Sequence, residues 1–431
     1  MGAAVFHDPP VGDYESETEW AIRARNVMLS DGNLATGLDV VIVGEVITDI
    51  VESGSGRVPV GRTVDWPQGT LIPGLIDSHT HLTFSADSQV VRHVTSEPPA
   101  EQVARALGNA QRALVRGVTT VVDCGGRIDV LLAVRQASQA GTITSPHVLV
   151  SGAPITTTAG HCHWLGGIAD TTDEVVRLAR QLTQDGVDFI KVMLTGGNIT
   201  AGSNPLQLQY PEHTMMALGA ECSRLGKPLA VHAHTEFAVE LAARAGATVI
   251  VHASCQDSDG ALELSATTLE ALTLSGATVD PTITVGALEN FRDAPSGATR
   301  RHQQRRDMLP LFSRMDDAGV ILLAGTDAGV PGVPHGNVAQ AMVALHHEVG
   351  LTRSDALLSG TGRPAAVFGI ADQVGSIRPG MQADLVLLDA DLEEDITALH
   401  RPDRVWVAGR MTVLGGRLQT ERREAATVPA R

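Results

Sequence analysis

The chain has 431 residues, enough to bury a large core and to hold a barrel of about 250 residues beside a second domain. Its 32 Lys+Arg stand against 49 Asp+Glu, a net charge of −17 with the acids scattered, which argues against nucleic acid or an anionic membrane surface as a partner. Cys124, Cys162, Cys222 and Cys255 form no Cys-x-x-Cys pair, and no apolar run approaches the roughly 20 residues of a membrane span, so a reducing cytoplasmic setting and a small-molecule substrate are expected, with homo-oligomer formation left open.

Met1 to Glu19 carries acids and prolines where a secretory leader would have a basic and then an apolar segment, so no leader is expected. Short alternating segments follow between Trp20 and Val64, among them Ala21-Ile22-Arg23-Ala24 and Val40-Val41-Ile42-Val43. The C-terminal stretches Ala383–Asp389 and Val405–Gly409 read alike. Neither flank is long enough for a stable β domain alone, so residues 18–72 and 378–418 are expected to pair into one composite β-sandwich. The first 15 or so residues and the last 10 are expected to be weakly ordered.

Between the flanks, apolar runs alternate with segments of helical spacing. The runs predict strands at Leu71–Ser78, Thr119–Cys124, His147–Ser151, Phe189–Leu194, Leu229–His232, Val249–His252, Thr278–Thr284 and Ile321–Ala324. Helices are predicted at Ala100–Arg116, Ile128–Ala140, Thr172–Asp185, Glu212–Leu225 and Glu236–Ala245, each followed by a glycine suited to a left-handed cap. Eight such units imply an α/β fold, a (β/α)8 TIM barrel over residues 73–377.

Reactive side chains of such a barrel gather at the carboxyl ends of its strands. Residues two apart in a strand share a face, so His79 and His81 can converge on one ion. Two ordinary surface histidines would give the same pattern. The recurrence of Lys191, His232, His252 and Asp327 at later strand ends decides against that. Four imidazoles and a carboxylate suit two divalent ions, zinc by preference. Lysine is the odd member, because an ammonium has no lone pair. Alone, Lys191 reads as a buried ammonium paired with an acid; within this set it reads as a carbamate, formed with CO2, whose two oxygens bridge the metals.

The segments Pro73–His81, Gly117–Val121, Ile190–Val192 with Thr195-Gly196-Gly197, His232-Ala233-His234, Gly325–Gly329 followed by His335-Gly336, and Gly375–Val386 resemble the amidohydrolase superfamily. Within it the chain is similar to the imidazolonepropionase-like or metal-dependent prolidase and arginine-carboxypeptidase branch, over about residues 20–415. The resemblance implies that His79, His81 and Asp327 hold one metal, that His232 and His252 hold the other, and that carboxylated Lys191 bridges them. A bridging hydroxide would then attack a C–N bond, with Asp327 moving the proton. It also places His161, and with less force His163, near the substrate, and makes His234 a donor to the carbonyl oxygen. Cys162 between two histidines raises a third metal site, set aside because the ligand set is already complete. The loop Thr195–Asn198 reads as backbone able to approach a ligand or as a tight turn, and His346 and His347 as a solvated helix face.

Val251 stands where relatives carry an acid, and Val122-Asp123-Cys124 replaces Arg-Asp-Leu; neither change removes a ligand. The expected reaction is hydrolysis of an amide in an N-acyl amino acid or dipeptide-like compound. A cyclic amide, urea or cyclic amidine is the alternative substrate. A noncatalytic metal protein or a lyase on the same scaffold is the rival from another class.

Overall fold

Residues 19–57, 63–284 and 296–419 are described in a computed structural model. The chain ends expected to be weakly ordered lie outside the described residues. No helix among the described residues is long and apolar enough to cross a membrane.

The two flanks meet in one nine-stranded sheet. Its seam is the strand Thr63–Pro73, which pairs in parallel with Glu19–Met28 and antiparallel with Leu385–Leu388 from the far end of the chain. Alternation gives this sheet two apolar faces. Leu385 and Leu387 join Ile22, Ile42, Leu71 and Trp406 in a core of the sheet's own. Val386 and Leu388 face the opposite way and join Ile72, Leu75, Ala110 and Leu114 in the main core under the barrel helices.

The first barrel strand corrects one expectation. The apolar run expected as a single strand, Leu71–Ser78, is divided: Leu71–Pro73 ends the flank strand, and the barrel strand is Leu75–Thr80. Gly74 is the joint. A Cβ there would lie 2.0 Å from Thr119 Oγ1, so the chain can pass the second strand this closely only without a side chain.

Val118–Asp123 and His147–Val150 continue from the first strand in parallel, and Ile190–Met193, Leu229–Thr235, Val249–Gln256 and Thr278–Asp280 form a second parallel arc. The arcs are joined by Asp188 N donating to Val150 O at 2.8 Å and by the Ile155–Val192 bridge. On the other side, Leu322 bridges to Val279 and Ala328 to Thr80. The ring thus closes into a (β/α)8 barrel whose eighth segment is made of bridges, so the expected strand Ile321–Ala324 is not a regular one. The seventh strand stops at Asp280, short of the expected Thr284, because Pro281 has no N–H for a ladder.

The helices fall within a residue of their predicted ends: Pro99–Val115, Ile128–Gln139, Thr172–Gln184, Glu212–Leu225 and Glu236–Arg244. Gly226, at φ +65°, caps the fourth of these in the left-handed conformation. Thr171 and Glu174 form a reciprocal capping box that fixes where Thr172–Gln184 begins.

Candidate metal centre

His79 and His81 project from the end of the first strand onto Asp327, whose Oδ1 lies 3.5 Å from His79 Nε2 and 3.2 Å from His81 Nε2. Asp327 reaches them by an unusual backbone. Its φ is +57°, held by its N–H on His79 O at 2.8 Å and by Thr326 Oγ1 donating to buried Asp77 at 2.7 Å. A left-handed non-glycine residue costs on the order of 1–3 kcal/mol and is retained where the surroundings enforce it, often at functional sites.

The second cluster is His232, His234 and His252, whose ligand atoms lie within 4.8 Å of one another. The clusters adjoin, with the His79 and His252 rings 5.6 Å apart. The structure therefore brings His79, His81 and Asp327 together in one cluster and His232 and His252 in the other, and it adds His234 to the second.

Hydrogen bonds leave one nitrogen open on each of four rings. His81 Nδ1 lies 3.0 Å from Gly125 O, and His232 Nε2 lies 2.9 Å from Gly196 O. A carbonyl only accepts, so those nitrogens carry the proton, and His81 Nε2 and His232 Nδ1 keep the lone pair. His252 Nδ1 lies 2.8 Å from Thr282 Oγ1 and His234 Nδ1 lies 2.9 Å from Ser254 Oγ, which leaves the Nε2 atoms for a ligand.

Burial, reinforced by neighbouring cationic groups, pushes His79, His232 and His252 well below the ordinary histidine value. They are neutral, the form that binds metal. Burial pushes His81 down as well, but its hydrogen bond with Asp327, the charges of Asp327 and Asp123 and the Gly125 carbonyl together outweigh this and leave it raised.

Lys191, on the fourth strand, is 1% exposed and its Nζ has no hydrogen-bond partner. It stands close enough to depress His79, His232 and His252 electrostatically. An effective desolvation penalty of several kcal/mol per buried ion exceeds the ~1 kcal/mol of a typical hydrogen bond, so an unpartnered ammonium among imidazoles is an expensive arrangement.

His161 is buried 4.9 Å, ring to ring, from His232, and its Nδ1 has no partner. Burial takes it down to about 3, and His234 to about 4. The glycine loop allows this approach: a Cβ at Gly197 would sit 2.4 Å from His161 Nε2. His163 instead turns back to Gly160 O at 2.9 Å and joins neither cluster. Cys162 is buried, with its thiol pushed up to about 12 by burial. His335 lies behind His81, with Nε2 3.1 Å from the His81 carbonyl; His347 is exposed and His346 half-buried.

Buried Asp77, Asp123 and Asp280 are bonded to residues next to the donors, and the sequence reading gave none of them a role. Burial lifts Asp77 to about 7 and Asp280 to about 6. Asp123 accepts from Leu82 N and Gly125 N at 2.7 and 3.0 Å, shaping the loop whose carbonyl holds His81. An acid ending a barrel strand was the available signal for Asp280, hidden because the seventh strand was drawn through it to Thr284.

The profile of the amidohydrolase family matches residues 70–412. Ochratoxinase of Aspergillus niger is 28% identical over 374 residues, 79% of this chain and 75% of that protein. Imidazolonepropionase of Streptomyces coelicolor is 27% identical over 421 residues, 95% of each chain. A solved Xaa-Pro dipeptidase with bound methionine in its active site superposes with a TM-score of 0.79 at 25% identity, covering 91% of this chain and 99% of that one. This chain belongs to the amidohydrolase family and is a hydrolase acting on carbon–nitrogen bonds.

Proposed function

We propose that the enzyme is a binuclear metal-dependent amidohydrolase that cleaves the amide C–N bond of an N-acyl amino acid or dipeptide-like small molecule. One observation carries the reading: buried Lys191 Nζ lacks a partner beside two donor clusters, His79/His81/Asp327 and His232/His234/His252. Addition of CO2 to the neutral amine forms an N–C bond, releases a proton and leaves an anionic carbamate. That change replaces an unpaired cation by two oxygen donors. His79, His81 and Asp327 would then hold one divalent ion, His232 and His252 the other, and modified Lys191 both, with zinc suited to these donors. When bound, the ions supply Lewis acidity that activates water and polarises a carbonyl.

The remaining steps belong to the chain. Asp327, with one oxygen toward both first-strand imidazoles, accepts the proton of the attacking water and passes it to the departing amine. His161 and His234, kept neutral by burial, can each present an N–H to the substrate carbonyl or carboxylate. Similarity to a Xaa-Pro dipeptidase supports a dipeptide-like substrate. Similarity to imidazolonepropionase along 95% of the chain favours, as a second reading, hydrolysis of a cyclic amide or amidine.

Metal analysis combined with a hydrolysis screen tests the proposal. Two ions per chain and amine release from N-acyl amino acids or dipeptides support it. Ring opening without amine release favours the second reading, and bound metal without turnover on any amide or cyclic amidine contradicts both.

A further inference from the structure

The seventh barrel strand gives the centre no donor, yet it ends on a carboxyl connected to both clusters. Asp280 is 0% exposed and both its oxygens are engaged. Oδ2 accepts from Ser78 Oγ at 2.7 Å, and Oδ1 accepts from the Thr282 backbone N at 3.0 Å. Ser78 immediately precedes His79. Thr282 places its Oγ1 2.8 Å from His252 Nδ1. The eighth segment also passes against this group: a Cβ at Gly325, two residues before Asp327, would fall 1.8 Å from Asp280 Oδ2.

We propose that Asp280 is a positioning residue for the cation centre, holding His79 of one donor cluster and His252 of the other in register through Ser78 and Thr282. The inference rests on the two-cation reading above. Its physical content is orientation. Thr282 has φ +47°, a state β-branched residues rarely adopt, and the bond from its N–H to Asp280 holds it there. In that conformation its hydroxyl meets His252 Nδ1 and leaves Nε2 open to a ligand. His252 is itself left-handed at φ +68°, so its ring direction depends on what holds it from outside. A carboxyl that merely stapled strands together would require no hydroxyl aligned on a ligand's second nitrogen. Partners of that kind orient metal-binding histidines and affect affinity strongly.

The test is titration of metal-free protein with Co2+ in bicarbonate buffer, following the visible absorption of the bound ion, on wild type, Thr282→Val, Thr282→Ser and Asp280→Ala. Wild type is expected to take two equivalents. Thr282→Val keeps the side-chain shape without the hydroxyl, and weakens one equivalent by about 10–100-fold while leaving the other unchanged. Thr282→Ser restores it. Asp280→Ala weakens both. Two equivalents at wild-type affinity in Thr282→Val overturn the proposal, whatever Asp280→Ala does to folding. Fewer than two equivalents in the wild type would remove the two-cation reading itself, and this inference with it.

Discussion

In the nine-stranded sheet, Asp39 is 1% exposed and receives Arg23 Nε and Nη2 at 2.8 and 2.7 Å and Ser53 Oγ at 2.6 Å. At the barrel rim, Lys191 is buried to the same 1% and its Nζ makes no hydrogen bond. His79 Nδ1 and His161 Nδ1 are likewise unpartnered there. Buried polar groups are nearly always hydrogen-bonded, so the exceptions need an explanation. The sheet buries charge by pairing it within the chain. The rim buries charge and leaves donor atoms open, as a site that receives ions from outside would.

The largest expected effect breaks the rim. Lys191→Ala should lose most bound metal and reduce turnover by more than the ~10–100-fold typical of a partner that only supports a ligand. A short carboxylic acid added to this variant should restore part of both, as measured by metal analysis and initial rates. Full activity without rescue would exclude a bridging role. Asp327→Asn keeps an oxygen donor and removes the proton acceptor, so kcat should fall by about 10²–10⁴, the range of general acid–base catalysis. Steady-state kinetics at matched metal content checks this.

A smaller effect sharpens the division within the rim. His161→Phe and His234→Phe each remove one hydrogen bond worth about 1–3 kcal/mol, so kcat/KM should drop about 10–100-fold with two ions retained. Loss of an ion in His234→Phe would instead move His234 from the substrate to the ligand set, which its place in the second cluster makes a direct question.

The smallest catalytic effect lies in the sheet. Arg23→Ala should leave kcat unchanged and lower stability by about 1–3 kcal/mol, because buried Asp39 loses its main partner. Burial pushes the Asp39 carboxyl up, but hydrogen bonds from Arg23 and Ser53 and the guanidinium charge outweigh it, holding Asp39 below the usual carboxylate range. A depressed folded-state value means this stabilisation is present above the unfolded value of about 4 and is lost as pH falls through the folded one. Wild type should therefore lose its advantage over Arg23→Ala in acid unfolding below about pH 4.

The chemistry of the rim was more legible in the sequence than its geometry. His79, His81, His232, His252 and Asp327 follow apolar runs, Lys191 lies within one, and parallel strands deliver reactive residues to one face. The helices were legible because their caps are local, as at Thr171 and Gly226. Features that depend on contacts distant in sequence were not. The run from Leu71 to Ser78 does not reveal that Gly74 must pass Thr119 between two sheets. Nor does Thr278–Thr284 reveal that Asp280 reaches Ser78, some 200 residues earlier. The left-handed turns at His252, Thr282 and Asp327 carry no glycine to mark them, since the surrounding hydrogen bonds impose them.

The most direct test of the central claim is a zinc-loaded crystal, grown with bicarbonate, with anomalous scattering recorded at the zinc edge. Two peaks are expected, one among His79, His81 and Asp327 and one at His232 and His252, with continuous density extending from Lys191 Nζ to both. An unmodified Lys191 pointing away from fewer than two peaks would contradict the account.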